Sequence, residues 1–404
     1  MMLSAPAAAG RGTFEPMTDS TTRSRTAGDW LTGRIVPAAR RVIVPAARRV
    51  IVPVARRAFT PLVRAVSPYG GLLPPSRPAR VARLASAPAL PELNPHISPW
   101  PAERVEVCGM ALNVRRTPSS SPAARPALYV HGLGGASTNF TDLADVLSPW
   151  LDGHAVDLPG FGDSGPPPGS DYSIADHARV VEGYLQLLAR DAGGPAHLVG
   201  NSMGGAIAIE VAASRPDLVR TLTLVSPAVP DLRPPKGSAA LMPVLLIPGL
   251  GEWLLSGVGR GTPDEQARSV VELCFAHPER VPEHRLAEAA AEIEARRGQP
   301  WADDALVRSL RGLVRGYFAR GPRSPWQRMR QITAPTTVVW GELDRLVDVA
   351  NAPRVAQAIP DATLLVLPDV GHTAQLEDPL STARAILALL ERANDGFDGS
   401  RVEV

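Results

Sequence analysis

A serine in a turn flanked by glycines is the first residue of this sequence that could do chemistry. Ser202 is the centre of Gly200-Asn201-Ser202-Met203-Gly204, a G-x-S-x-G pattern. The preceding run AHLVG predicts a buried strand, and the following MGGAIAIEVAAS predicts a helix of small residues. A serine held on a sharp turn between a strand and a helix is typical of an exposed nucleophile. The pattern is short enough to arise by chance, so the rest of the chain has to supply its partners.

A serine hydroxyl needs a base to take its proton, and the base needs an acid to orient it. His372 follows the apolar run TLLVLP and is the candidate base. Asp344 follows TTVVWG and is the candidate acid, with Asp348 as a competing carboxylate. In a doubly wound sheet such residues come from loops at the carboxyl ends of the strands, and the order serine, aspartate, histidine fits that arrangement. We favour Asp344 over Asp348 because it lies closer to the end of its strand.

Two backbone donors are needed for the oxyanion that forms during attack on a carbonyl. The N–H of Met203, at the start of the helix after the serine, is the first candidate. The loop after the predicted strand ALYVHG reads His131-Gly132-Leu133-Gly134-Gly135. Its glycines allow the backbone to approach the site, and we choose the Leu133 N–H as the second donor, with Gly134 as the fallback.

The remaining histidines are poorer candidates for the base. His131 is interpreted as a structural turn residue, and His154 precedes a strand, which puts it at the wrong end of the sheet. His277 and His284 lie in a helical interval. No HxxxH or HExxH spacing occurs, and the two cysteines, Cys108 and Cys274, are far apart. We therefore expect no metal and no disulfide framework. Chemistry by a serine, a histidine and an aspartate needs no organic cofactor either, so none is expected.

Short apolar runs alternate with amphipathic stretches over residues 102–394. Two runs, RVEVCG and MALNVRR, predict an opening hairpin. Six more predict buried strands at 127–132, 153–160, 196–202, 221–227, 336–342 and 363–369. Helices are predicted at 173–190, 203–214 and 379–393. This alternation predicts an α/β fold with a doubly wound, mostly parallel sheet covered on both faces.

One interval, 229–330, interrupts the alternation and has a helical pattern. It contains Thr262-Pro263-Asp264-Glu265, a capping box with proline in the first turn. We predict a helical cap inserted between two strands. Its apolar part, 241–255, is broken by prolines and glycines, which disfavours a transmembrane helix and favours the lining of a hydrophobic cavity or a lid.

Five stretches together resemble the signature segments of the α/β-hydrolase superfamily: YVHGLGGASTNFTDL, DLPGFGDS, GNSMGG, WGELDRLVD and GHTAQLEDP. They occur in the family's order and within residues 102–394. The resemblance implies an eight-stranded sheet, with Ser202 as nucleophile, His372 as base and Asp344 as acid. The interval 229–330 falls where this family inserts its cap.

The nucleophile residue separates the chemistries of this superfamily. Haloalkane dehalogenases and epoxide hydrolases carry aspartate there, so Ser202 disfavours both. GNSMGG resembles the meta-cleavage C–C hydrolases, but these usually have an aromatic residue after the histidine, where this chain has Thr373. An apolar cap suits acyl chains. We therefore favour hydrolysis of a carboxylic ester, lipase-like or of monoacylglycerol type, with a C–C hydrolase as the alternative. A non-catalytic binding module of the same fold is the second alternative, disfavoured because all three triad members are present.

The first 101 residues form a separate, basic extension rich in proline and arginine. Residues 1–90 hold 14 arginines and three acids, a net charge of +11, which leaves −9 on the rest of the chain. The octapeptide IVPAARRV recurs with prolines at Pro37, Pro45, Pro53 and Pro61. A low-complexity linker is the simplest interpretation, and peripheral contact with an anionic membrane is the main alternative. Aromatic residues are nearly absent, so no nucleic acid is expected. No secretory signal is recognised, so we expect a cytoplasmic protein, and a flexible tail at 395–404.

Overall fold

A computed structural model describes residues 79–82, 84–85, 89–169, 171–230 and 261–393. The arginine repeat, the apolar stretch 241–255 and the tail 395–404 lie outside the described residues. The interpretations placed on them therefore stay predictions.

The described residues form one nine-stranded sheet in the order β1-β9-β8-β7-β6-β4-β5-β3-β2. Strands β2 and β3 make the predicted antiparallel hairpin, β3 also pairs antiparallel with β5, and all other neighbours are parallel. The bounds are Arg80–Val81 (β1), Ala102–Val107 (β2), Met110–Thr117 (β3), Arg125–Val130 (β4), Leu151–Val156 (β5), Ala196–Asn201 (β6), Val219–Val225 (β7), Thr336–Gly341 (β8) and Ala362–Leu367 (β9).

The sheet has one strand more than the eight that were predicted. The additional strand, β1, is only two residues long and pairs with β9 at the edge of the sheet. It comes from the proline-rich stretch, where such a short segment has no periodicity to reveal it. The doubly wound, mostly parallel architecture is confirmed.

Apolar residues on both faces of the central strands place a core on each side of the sheet. In β4, Leu128 and Val130 belong to one buried cluster, while Ala127 and Tyr129 belong to the other. This alternation is what a period of two residues produces when both faces are covered. All six residues of β6 and of β8 are buried.

Ten α-helices occur in the described residues. Their bounds are Thr141–Leu147 (α1), Ile174–Ala192 (α2), Met203–Ser214 (α3), Pro263–Cys274 (α4), Glu283–Arg297 (α5), Ala302–Tyr317 (α6), Pro325–Gln331 (α7), Ala352–Ala358 (α8), Ala374–Glu377 (α9) and Pro379–Arg392 (α10). The three predicted helices correspond to α2, α3 and α10. Helices α2 and α3 cover one face of the sheet through residues such as Leu185 and Ile207, while α1 and α10 cover the other through Leu143 and Ile386. No helix in these ranges is both long and apolar enough to cross a membrane.

Helices α4 to α7 lie between β7 and β8, and all but the last residue of α7 falls within the interval 229–330 predicted as a cap. The capping box at the start of α4 is formed: Thr262 Oγ1 accepts from Glu265 N at 3.2 Å, and the Glu265 carboxylate accepts from Thr262 N at 3.0 Å. Arg285 of α5 donates to Asp142 of α1 at 2.6 Å, with both side chains about four-fifths buried. The inserted helices are thus held to the helices of the sheet by a largely buried ion pair.

The described part of the proline-rich stretch contacts the folded unit. The carbonyl of Pro95 accepts a hydrogen bond from His284 at 2.7 Å, and that of Ile97 from Arg285 at 3.3 Å. The carbonyl of Trp100 accepts from Arg115 at 2.6 Å. These residues were expected to form a connector outside the domain, but their backbone carbonyls bind donors from α5 and β3.

Candidate active site

Ser202 lies between the end of β6 and the start of α3 in a backbone conformation that side chains rarely adopt. Its φ and ψ are +54° and −117°. Such a geometry costs free energy and persists only where the surroundings impose it. Here the Ser202 N–H donates to the carbonyl of Val225 at 3.0 Å, and the Ser202 carbonyl accepts from the N–H groups of Ala206 (3.1 Å) and Ala228 (2.8 Å). The turn therefore has the form of a nucleophile elbow.

The two glycines of the motif are required by lack of space. A Cβ on Gly204 would collide with the carbonyl oxygen of Val130 in β4, and a Cβ on Gly200 would collide with the carbonyl oxygen of Gly204. Helix α3 can therefore approach β4 and β6 only when both positions lack side chains.

His372 and Asp344 form a buried pair in the loops after β9 and β8. His372 Nδ1 and Asp344 Oδ2 are 2.8 Å apart, and the side chains are 4% and 0% exposed. The other carboxylate oxygen of Asp344 accepts from the N–H groups of Leu346 (2.8 Å) and Val347 (3.0 Å). A carboxylate can only accept, so Nδ1 carries the proton. This leaves His372 Nε2 as the acceptor nitrogen that a general base requires.

Two contacts bring the serine turn together with its neighbouring loops. The Asn201 side-chain amide donates to the carbonyls of Val225 at 3.1 Å and of His372 at 3.2 Å. A Cβ built on Gly132 would lie 3.0 Å from the Cβ of Ser202, so the loop after β4 runs directly beside the serine. The residues predicted to form the site thus lie on four loops, after β4, β6, β8 and β9, that meet at the carboxyl edge of the sheet. The sequence alone reveals no role for Asn201, because only the folded chain brings it to His372.

Asp348, the competing acid, has a different partner. Its Oδ1 accepts from the N–H of Ala350 at 3.0 Å and caps the short 3-10 helix Val349–Asn351. It is therefore Asp344 that meets His372.

Both ring nitrogens of His131 are engaged by backbone groups. Nε2 accepts from the N–H of Leu158 at 2.9 Å, so Nδ1 carries the proton and donates to the carbonyl of Gly132 at 2.7 Å. Burial lowers the pKa of His131, with the negative charge of Asp157 opposing that shift. This histidine is therefore neutral and shapes the loop after β4.

The predicted oxyanion donors lie on the loop after β4 and at the start of α3. Met203 is fully buried and is the first residue of α3. In the loop, the Gly135 N–H donates to the Gly132 carbonyl at 3.1 Å, so it is not available to an oxyanion. The Gly134 carbonyl accepts from Arg296 of α5 at 3.3 Å. Gly134 has a φ of +76°, which favours glycine there. The N–H groups of Leu133 and Gly134 belong to the tight turn that Gly132 and Gly135 close.

The other histidines that the sequence disfavoured as the base form hydrogen bonds or ion pairs outside the site. His154 lies between Tyr184 OH (2.8 Å) and Asp152 (3.1 Å), and His277 contacts Glu279 at 3.1 Å. Within the ranges that the structure describes, no group of three or more histidine, cysteine or acidic side chains could hold a metal ion.

The α/β-hydrolase fold family model matches residues 126–379. The chain belongs to this family. The match contains the serine turn, the Asp344 loop, His372 and helix α9, and it ends at the first residue of α10. It covers well over half of the chain.

Two curated relatives and one solved structure illustrate the similarity. The dihydrolipoyllysine-residue acetyltransferase component of the acetoin cleaving system of Cupriavidus necator is 31% identical over 260 residues, 63% of this chain but only 60% of that protein. Human monoacylglycerol lipase ABHD6 is 26% identical over 293 residues, 70% of this chain and 80% of that protein. A meta-cleavage product hydrolase from Pseudomonas fluorescens superposes with a TM-score of 0.55 at 20% identity, covering 72% of this chain and 98% of that one, which shows the shared fold. This α/β hydrolase is therefore an enzyme with lipases among its relatives.

Proposed function

We propose that this α/β hydrolase cleaves a carboxylic ester, with Ser202 as nucleophile, His372 as general base and Asp344 as the acid that orients it. The observation that carries the proposal is the buried His372–Asp344 pair, held at 2.8 Å on the loops beside the strained serine turn. A neutral imidazole whose Nδ1 proton is held by a carboxylate is the group that activates a serine hydroxyl.

The reaction would take two steps through an acyl-enzyme. Ser202 Oγ attacks the ester carbonyl as its proton passes to His372 Nε2. The N–H groups of Met203 and Leu133, with Gly134 as the alternative to Leu133, stabilise the negative charge on the carbonyl oxygen. His372 then protonates the departing alkoxide, and the acyl-enzyme is hydrolysed by a water that His372 deprotonates. The chain and water supply every group in this scheme.

The substrate we propose is an ester with an apolar acyl chain. A relative named monoacylglycerol lipase and the apolar composition of residues 241–255 support it. Thr373, in place of an aromatic residue after His372, disfavours the dienoate substrates of C–C hydrolases. C–C hydrolysis remains the second candidate, because GNSMGG resembles the corresponding stretch of those enzymes.

Replacement of the serine tests the proposal directly. Ser202→Ala should lower kcat/KM for p-nitrophenyl esters at least about a thousandfold, because the nucleophile is lost while the other groups remain. A fluorophosphonate probe should label the wild type at Ser202 and leave Ser202→Ala unlabelled. Ser214→Ala, at the exposed far end of α3, is the matched control and should keep wild-type activity.

A panel of substrates separates the candidate functions. The kcat/KM of one enzyme preparation would be measured for each member of a panel. The panel comprises p-nitrophenyl esters from acetyl to dodecanoyl, a monoacylglycerol and a meta-cleavage dienoate. Turnover of the dienoate faster than that of every ester would favour C–C hydrolysis. No labelling of Ser202 and no turnover would favour the non-catalytic binding module.

A further inference from the structure

The end of the inserted helix α4 lies directly against the loop that carries His372. Helix α4 ends at Cys274, and the Cys274 carbonyl accepts a hydrogen bond from the backbone N–H of His372 at 2.7 Å. The two residues are almost a hundred positions apart in the sequence, so this contact joins the cap interval to the site.

A single carboxylate bridges the same two segments. Glu377 Oε1 accepts from the N–H of Gly371 at 2.9 Å, and Oε2 accepts from the N–H of Ala276 at 2.8 Å. Gly371 precedes His372, and Ala276 follows the end of α4. Each oxygen of one side chain therefore holds a different loop, and the rigid carboxylate fixes the distance between them.

The loop that carries Asp344 holds the same helix end. Arg345 donates to the carbonyl of Glu272 at 3.0 Å and to that of Ala276 at 3.4 Å. Carbonyls in the last turn of a helix have no partner within the helix, and a cation is favourable there. The end of α4 is thus bound by Arg345, the residue after Asp344, and by the backbone N–H of His372 itself.

The His372 loop packs against the end of α4 so closely that position 371 has no room for a side chain. A Cβ on Gly371 would lie 2.5 Å from the Cys274 carbonyl oxygen and 2.6 Å from the Ala276 nitrogen. Any side chain at position 371 would push the His372 loop away from α4, so the glycine permits the bridging contact.

We propose that Glu377 is a positioning residue that locks the His372 loop to the end of α4, so that the placement of this cap helix sets the geometry of the His372–Asp344 pair. The inference rests on the proposed function, since it assigns Glu377 an effect on the catalytic base. A displacement of about 1 Å in a reacting group can lower the rate about a hundredfold. A bridge that fixes the position of the His372 loop can therefore change the rate by that amount.

Glu377→Gln is the sharpest variant, because it keeps the size of the side chain and removes one acceptor. The glutamine oxygen can serve one N–H, while its NH₂ group faces the other and is repelled. We expect kcat for p-nitrophenyl acetate to fall about 10- to 100-fold, with KM changed less than about threefold. The rate of fluorophosphonate labelling should fall in parallel, because a small probe needs the base but little of the cap.

The neighbouring carboxylate supplies a matched control. Asp378 Oδ1 accepts from the N–H of Ser381 at 3.0 Å and caps α10. Asp378→Ala should lower the unfolding midpoint by about 2–4 °C through loss of that cap, yet leave kcat unchanged. Asp378→Ala thus shows the effect of lost stability alone, and a fall in kcat confined to Glu377→Gln is the effect of lost positioning.

Hydrogen exchange gives a readout that does not depend on turnover. In Glu377→Gln the amides of Ala276, Gly371 and His372 should exchange at least about tenfold faster than in the wild type, while Asp378→Ala leaves them protected. Arg345→Gln, at an exposed position, should change activity in the same direction if Glu377→Gln fails to fold.

The outcomes distinguish this inference from the proposed function. A folded Glu377→Gln with wild-type kcat and wild-type protection of the three amides, beside an inactive Ser202→Ala, overturns the positioning role alone. Full activity of Ser202→Ala overturns the triad, and the positioning role of Glu377 falls with it.

Discussion

Asp344 and Asp348 lie four residues apart, yet their carboxylates bind different partners. Asp344 accepts from His372, and Asp348 caps a single turn of 3-10 helix. An asparagine at 344 presents an amide to Nδ1 and favours the wrong imidazole tautomer, whereas an asparagine at 348 remains a good cap. We expect Asp344→Asn to lower kcat about 10³- to 10⁴-fold and Asp348→Asn to leave it within twofold of wild type. Steady-state kinetics on one ester checks both, and the reverse order of effects would make Asp348 the acid.

Which site residues the sequence reveals depends on whether their role is local. Ser202 and Asp344 follow shortly after the ends of apolar runs, so a pattern of strands is enough to find them. Asn201 acts through the carbonyl of His372, 171 residues away, and Glu377 acts through Ala276, 101 residues away. Both lie inside the signature stretches GNSMGG and GHTAQLEDP, but their residue types are common on any surface and the sequence does not show which groups they contact. Their roles are visible only from the tertiary contacts of the folded chain.

At the scale of elements, the strands were easier to predict than the smaller helices. Strands β6 and β8 are buried at every position and appear as unbroken apolar runs. Helices α1 and α8 are seven residues long and too short for a convincing period of 3.6. The edge strand β1 has two exposed residues between prolines, and only the free edge of β9 defines it.

Helices α2 and α6 meet through a buried histidine. His177 of α2 is 1% exposed, and its Nε2 lies 3.0 Å from Ser309 Oγ of α6. Burial lowers the pKa of His177 from 6.5 to about 4, with His131 adding to the shift and Asp176 opposing it. The imidazole that joins a helix of the sheet to an inserted helix is therefore uncharged near pH 7.

This histidine should make the fold sensitive to acid. Above pH 6.5 the imidazole is neutral in both states and contributes no pH dependence. Between pH 6.5 and 4 the unfolded chain takes up the proton and the folded chain does not, so stability falls as pH falls. We expect the wild type to lose about 2 kcal/mol more than His177→Gln between pH 7 and pH 5. Urea denaturation at both pH values measures the difference.

Ser309→Ala is the control for the histidine. It removes the hydrogen bond but leaves the imidazole buried, so its loss of stability on acidification should match that of the wild type. The pKa of His197 is also lowered, chiefly by burial, to about 3, but that group is common to all three proteins and cancels in the comparison. Equal pH dependence in wild type and His177→Gln would show that the imidazole is protonated in the folded state as readily as in the unfolded one.

At the scale of the whole molecule, the basic extension and the hydrolase domain differ in charge, and part of the extension contacts the domain. The composition placed the border near residue 101. Strand β1, at residues 80–81, pairs with β9, and the Pro95 carbonyl accepts a hydrogen bond from His284, so both segments contact the folded unit. Truncation near residue 90 would remove a strand as well as the arginines. Membrane contact by the extension is therefore better tested by substitution in the full chain.

We propose that the arginine repeat attaches the enzyme to anionic lipid surfaces, close to an apolar ester substrate. Each arginine near such a surface contributes about 1 kcal/mol, so replacing Arg40, Arg48 and Arg56 by glutamine should weaken binding to phosphatidylserine vesicles about 100-fold. Arg320, Arg323 and Arg330 are exposed on the domain, and their replacement by glutamine removes the same charge. Vesicle co-sedimentation at 0.1 M salt should show a loss below about threefold for this control. An equal loss in both variants would assign the attraction to net charge, and unchanged binding of the repeat variant would refute attachment through the repeat. Because the two variants carry the same charge, only a contact made by the repeat itself can separate them.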